Sequence, residues 1–173
     1  MMRTLFVILS VAFITSGKAQ SEALTIEDFN IIGISMVTTN KNGQSIKDIG
    51  TLWQRFEKEQ IAVKIPNIIS GEAYSLFTDY ESDFSGKYLT IIGFKVSDLN
   101  RIPDGMIGRT FKGGSYKKFT AKGEMPQAIA KTWQTVWSED KNLKRKYTVD
   151  FEVYGPKSQK GADSEVDIYI AVE

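Results

Sequence analysis

The residues best placed to do chemistry lie near the C-terminus. Tyr147 to Gly155, Tyr-Thr-Val-Asp-Phe-Glu-Val-Tyr-Gly, alternates in character residue by residue. That period of two predicts a strand, with Tyr147, Val149, Phe151 and Val153 on one face and Thr148, Asp150, Glu152 and Tyr154 on the other. The second face carries two carboxylates and a phenol. A carboxylate among aromatic rings can hold an apolar cation by charge and by cation–π attraction. In an apolar setting it can also serve as a general base. From spacing alone two readings of Glu152 stand: a cleft carboxylate, or a solvated strand residue opposite a lysine. Tyr74 to Ser82 echoes the stretch, and Tyr74 precedes Asp79 by the same interval as Tyr147 precedes Glu152.

What is missing narrows the chemistry. The chain has no Cys and no His. This excludes disulfides, thiol catalysis, Ser-His-Asp and Cys-His nucleophile systems, and the commonest zinc ligand. A net charge of +1 over 173 residues creates no field that selects nucleic acid or an anionic membrane. Hydrophobic and charged fractions of 42% and 25% are those of an ordinary globular domain. Asp79-Tyr80-Glu81-Ser82-Asp83 alternates acids, but Phe84 and Thr90 stand where a calcium loop needs its glycine and final glutamate. Gly113-Gly114 lacks the Lys-Ser/Thr of a phosphate loop. No metal and no cofactor are expected. Lys112, Lys117, Lys118, Lys122, Lys141, Lys144, Arg145 and Lys146 read as a solvated basic face.

The elements that must position these residues can be read in order. Residues 1–19 combine Arg3, an apolar run from Leu5 to Ile14, and small residues at Gly17 and Ala19. They read as a secretory signal peptide cleaved between Ala19 and Gln20, which implies an exported protein with no membrane anchor after cleavage. Ile26 to Thr39 reads as a strand in which Gly33 marks a bulge or close approach. Ser45, with Asp48 behind it, predicts a capped helix carrying Ile46, Ile49, Leu52, Trp53 and Phe56, fading near Gln60. Ile61 to Gly71 reads as a connection. Strands are expected at Ala73 to Tyr80 and Tyr88 to Val96, and a linker at Asn100 to Gly105. A bent strand region from Gly108 to Ala121 follows, then a helix opened by Pro126 with Ile129, Trp133, Val136 and Trp137 as its apolar stripe. The opening strand comes next, and Glu165 to Val172 alternates to the end. The order strand, helix, strand, strand thus occurs twice. Ile49-Gly-Thr-Leu-Trp53-Gln54 matches Ile129-Ala-Lys-Thr-Trp133-Gln134, and Thr90 to Val96 matches Val166 to Val172. These coincidences read as a duplication of residues 26–98 and 107–173.

Leu52-Trp-Gln-Arg-Phe56, Ile65-Pro-Asn67, Tyr80-Glu-Ser-Asp-Phe-Ser-Gly86, Ile102-Pro-Asp-Gly-Met106, Tyr116-Lys-Lys-Phe119 and Asp150-Phe-Glu-Val-Tyr154 come in an order that resembles the GyrI-like effector-binding family, which includes ligand domains of AraC-type and multidrug-sensing regulators. The resemblance runs from Phe29 to Val172 and implies one domain over residues 24–173. It implies an α+β fold of the SHS2 type: duplicated βαββ modules, antiparallel sheets, two helices and a ligand cleft. It implies that Glu152 is the acid of the cleft, with Trp133 as an aromatic wall. Tyr154, Tyr80, Asp79 and Trp53 complete the candidate ligand-binding set. Trp133 and Trp53 can equally be core residues, because both lie on apolar helix stripes. The expected function is exported small-molecule binding, of an amphipathic or cationic ligand, without nucleic acid. Two alternatives remain: hydrolysis of a reactive small molecule with Glu152 as general base, and an envelope protein–protein interaction module.

Overall fold

The structure, a computed structural model, describes residues 23–173; the signal peptide expected at 1–19 lies outside them. The chain begins with β1 (Ala23–Ile26) and β2 (Phe29–Thr39), then α1 (Gln44–Lys58), a one-turn α2 (Ile61–Lys64), β3 (Ile68–Thr78) and β4 (Lys87–Val96). The second half repeats the order with β5 (Ile107–Phe111), β6 (Gly114–Lys122), α3 (Gln127–Ser138), a one-turn α4 (Asp140–Leu143), β7 (Val149–Tyr154) and β8 (Glu165–Ala171).

Several local expectations are corrected. Ser45 does not cap α1: Gly43, at φ 70, holds the cap position. Asp48 instead accepts hydrogen bonds from the Thr38 hydroxyl at 2.7 Å and the Gln44 amide at 3.1 Å, tying the helix start to β2. Ile61 to Gly71 is not a bare connection, because Ile61 and Ile65 bury themselves under α1 and draw the chain into α2. Tyr147 does not lie in the strand. Its φ of 54 breaks the alternation, and its ring meets Tyr80 on the Glu152 side. The predicted sheets are one continuous eight-stranded antiparallel sheet in the order β1-β6-β8-β7-β3-β4-β2-β5.

With the two halves exchanged, β1 for β5, β2 for β6, β3 for β7 and β4 for β8, that order reads the same from either end. It also forces the sheet to curl. β1 and β2 are joined by two residues, Glu27 and Asp28, yet they pair at opposite ends of the sheet, as do β5 and β6. The two ends must therefore meet. They do so where Asp28 accepts a hydrogen bond from the Gly113 amide at 2.9 Å and pairs with Lys112 at 2.7 Å. Inside the curl, Phe29, Tyr74, Phe111, Tyr116 and Phe151 form an aromatic core. The outer face carries the helices, α1 over β2 and β4 and α3 over β6. Each helix seals its own cluster, Leu52 and Phe56 with Ile32, Ile34 and Ile92, and Trp133 and Val136 with Val166 and Ile168. The central strands β3 and β7 are left between the helices. Among the described residues, no helix is long and apolar enough to cross a membrane.

The close approach expected at Gly33 is real, and it is mutual. Gly33 faces Gly93 across β2 and β4. A Cβ on Gly33 would lie 2.2 Å from the Ile92 carbonyl oxygen, and one on Gly93 would lie 2.1 Å from that of Ile32. Backbone cannot yield as a side-chain tip can. Gly33→Ala or Gly93→Ala should each lower the unfolding free energy by about 2 kcal/mol or more, with an unchanged urea m-value. Wild-type stability in both variants would show that the two strands can part freely.

Candidate functional site

The strand that opened the sequence reading occupies the middle of the sheet. Residues of β7 alternate as expected: Val149, Phe151 and Val153 enter the inner aromatic core, while Asp150, Glu152 and Tyr154 face the helices. Above them α1 and α3 enclose a cleft of about 400 Å³. Ile49, Gly50 and Trp53 line it from α1, and Ile129, Ala130 and Trp133 from α3, position for position in the two matched helical segments. Phe77, Tyr80, Phe84, Tyr88, Trp137, Glu152 and Tyr154 complete most of the wall.

Glu152 lies at the base and is only 3% exposed. Trp133 Nε1 donates to one carboxylate oxygen at 2.6 Å, and the Tyr154 hydroxyl donates to the other at 2.7 Å. Among the described residues it has no ion-pair partner. Burial pushes its pKa above the ordinary glutamate value, and the hydrogen bonds from Tyr154 and Trp133 pull the other way without cancelling it. Burial and the neighbouring Glu152 charge likewise hold the Tyr154 hydroxyl protonated far above the usual phenol range. Ser75, directly across the ladder, is fully buried; its hydroxyl favours the charged glutamate but lacks the alignment of a full hydrogen bond.

Asp150, two residues away on the same face, is treated differently. It accepts from Arg145 Nη2 at 2.7 Å, the Tyr80 hydroxyl at 2.8 Å and the Ala171 amide at 2.8 Å. Arg145 also reaches Asp140 at 3.2 Å, and Tyr147 donates to Asp140. Arg145 does not belong to a solvated basic face: its side chain is 1% exposed and borders the cleft. Lys144, at φ 50, ends α4, and the bridge from Arg145 to Val172 directs the guanidinium inward.

Of the predicted site residues, Glu152, Tyr154, Trp133, Tyr80 and Trp53 meet around one cavity. Trp53 closes on Tyr154 with ring centroids 4.8 Å apart, so the α1 tryptophan and the β7 tyrosine form one wall. Asp79 is not among them. It is exposed and makes a two-pronged ion pair with Arg109 at 2.6 and 3.0 Å, which clamps edge strand β5 to the end of β3. Ladder register explains the error. Matching Thr90–Val96 to Val166–Val172 places Ile92 on Ile168; Ile92 pairs with Ser75 and Ile168 with Glu152. The counterpart of Glu152 is therefore Ser75, and Asp79 lies four residues too late. Phe77, Phe84 and Tyr88 also line the cleft, and of these Phe84 alone lies within a family-like motif, residues 80–86. Among the described residues no cluster of acids is arranged to hold a metal ion. A second, more open depression of about 580 Å³, beside α2 and the linker, contains none of the predicted residues.

Residues 24–172 match the family model of integron-associated effector binding proteins, Cass2. The chain belongs to this family. An integron cassette protein of this type from Vibrio cholerae is 31% identical, with a TM-score of 0.67 over 88% of this chain and 95% of that one. The transcriptional regulator BrlR of Pseudomonas aeruginosa is 32% identical over 131 residues, which span 72% of this chain but only 46% of BrlR. A structure described as SAV2435 bound to tetraphenylphosphonium shares the fold, with a TM-score of 0.73 at 19% identity. Like other integron-associated effector binding proteins, this chain is a GyrI-like domain built to bind a small-molecule effector.

Buried without a counter-ion, Glu152 opposes folding as it ionises. Its folded-state pKa is raised, so the folded protein holds a proton that the unfolded chain has already lost, and stability falls as pH rises through that window. Glu152→Gln removes this term. The variant should be more stable than wild type near pH ~7, with the gap closing toward pH ~4, where the carboxyl is protonated in both states. Urea unfolding at the two pH values measures it. A variant less stable near neutrality would show that the hydrogen bonds to the charged form outweigh its burial.

Proposed function

We propose that this domain captures amphipathic cations with several rings, and that it does so outside the cytoplasm. The observation that carries the reading is the unpaired carboxylate at the base of an aromatic cleft. Trp133, Tyr154 and Trp53 offer ring surface, and Glu152 supplies charge beneath them. A cation resting on those rings gains cation–π attraction of about 0.5–2 kcal/mol. It also feels a carboxylate that has no ion-pair partner among the described residues. Direct contact is not needed, because a charge at the base of an apolar, ring-lined cleft acts over several ångströms. The tetraphenylphosphonium bound by SAV2435, a protein of the same fold, supports this ligand class. Export is supported by the pattern of charge, apolar run and small residues at 1–19.

Hydrolysis has less support. Each oxygen of Glu152 already accepts a hydrogen bond, and the residue is only 3% exposed, so little of the carboxyl faces a water that it could activate.

Calorimetric titration with tetraphenylphosphonium and with neutral triphenylphosphine oxide tests the reading. Wild type should prefer the cation, and Glu152→Gln should weaken cation binding at least ~10-fold while leaving the neutral compound unchanged. Equal cation affinity in the variant would remove the electrostatic part of the proposal.

A further inference from the structure

We infer that Gly50 is a specificity-determining residue: with Ala130 opposite, it sets the width of the cleft and admits ligands of several rings. The inference rests on the reading of the cleft as a cation site.

Gly50 lies in the middle of α1, where glycine is the least favourable residue after proline. A glycine kept there ordinarily answers a close packing contact or an unusual backbone angle. Neither applies. A Cβ built on Gly50 meets nothing within 4 Å, whereas at Gly33, Gly93 and Gly113 it would strike backbone at 2.0–2.2 Å. Its backbone is helical. What Gly50 does border is the cleft. In the matched helical segments its counterpart is Ala130, which borders the cleft from α3. Each small residue precedes its helix's cleft tryptophan, Trp53 or Trp133, by three positions, and so shares its face. The two tryptophans and Tyr154 provide flat apolar walls, and the two small residues leave the space beside them empty. A Cβ at position 50 would enter open space on the border of the cleft. The arrangement gives up helix stability for volume, as a binding site for wide ligands requires and a structural helix does not.

The test uses Gly50→Ala and Gly50→Leu with two probes, tetraphenylphosphonium as the wide cation and dodecyltrimethylammonium, below its micellar concentration, as the slender one. Both variants should fold, and the Tm without ligand should rise by roughly 2–4 °C because a helix interior has lost its glycine. In Gly50→Leu the wide cation should bind at least ~10-fold more weakly and the slender one within about 3-fold of wild type; Gly50→Ala should give a smaller loss in the same direction. Wild-type affinity for the wide cation in Gly50→Leu would overturn the inference while leaving the cation site intact. A fall in Tm in both variants would overturn it too, by showing that the fold itself needs the glycine. A wild-type protein that binds neither cation would overturn the reading beneath it, and this inference with it.

Discussion

Glu152 is a buried acid with two hydrogen-bond donors and no counter-ion among the described residues, and much of the surrounding structure follows from accommodating it. Its donors come from different elements. Trp133 belongs to α3 and Tyr154 to β7 itself, so the carboxylate fixes the helix against the middle of the sheet. Trp53 from α1 then packs on Tyr154. One group thereby links both helices to the central strand. Packing alone would place those three rings more simply around an aliphatic residue, which would carry no desolvation cost. Retaining an acid there makes sense if the site is completed by something positive.

Asp150 shows what the fold does with an acid it intends to neutralise. It lies on the same face of the same strand, two residues earlier, and is as deeply buried. Arg145, Tyr80 and the Ala171 amide surround it. Removing one member of such a pair exposes the full burial cost of the other, which is why pairs of this kind are structural. Their contrast separates the two carboxyls: Asp150 sits in a network with Arg145 and Tyr80, and Glu152, which lines the cleft, has no such cationic partner among the described residues.

The division of faces along β7 was legible because strand geometry is local: Val149, Phe151 and Val153 go one way and Asp150, Glu152 and Tyr154 the other. Helix spacing likewise named Trp53 and Trp133, and the family resemblance singled out Glu152. What depended on pairing was not legible. Asp79 looked like an echo of Glu152 because intervals were compared along the chain, whereas equivalence in a sheet is set by ladders, and the ladders select Ser75. Arg145 was lost in a run of cations because composition cannot say which one a left-handed turn at Lys144 sends inward. The meeting of the sheet's ends at Asp28 and Gly113 involves residues far apart in sequence, and no periodicity marks it.

The unanswered charge also sets a competition. Burial favours the protonated form of Glu152, and a cation in the cleft would favour the ionised form. Proton and cation are then rival ligands of one carboxylate, coupled by the same free energy seen from either side. With the proton on, the site avoids a bare charge and the fold is at its most stable; a cation of the kind proposed would satisfy the charge in the proton's place. The pKa shift that makes Glu152 a liability for folding is, on this account, what lets the empty cleft persist without a counter-ion.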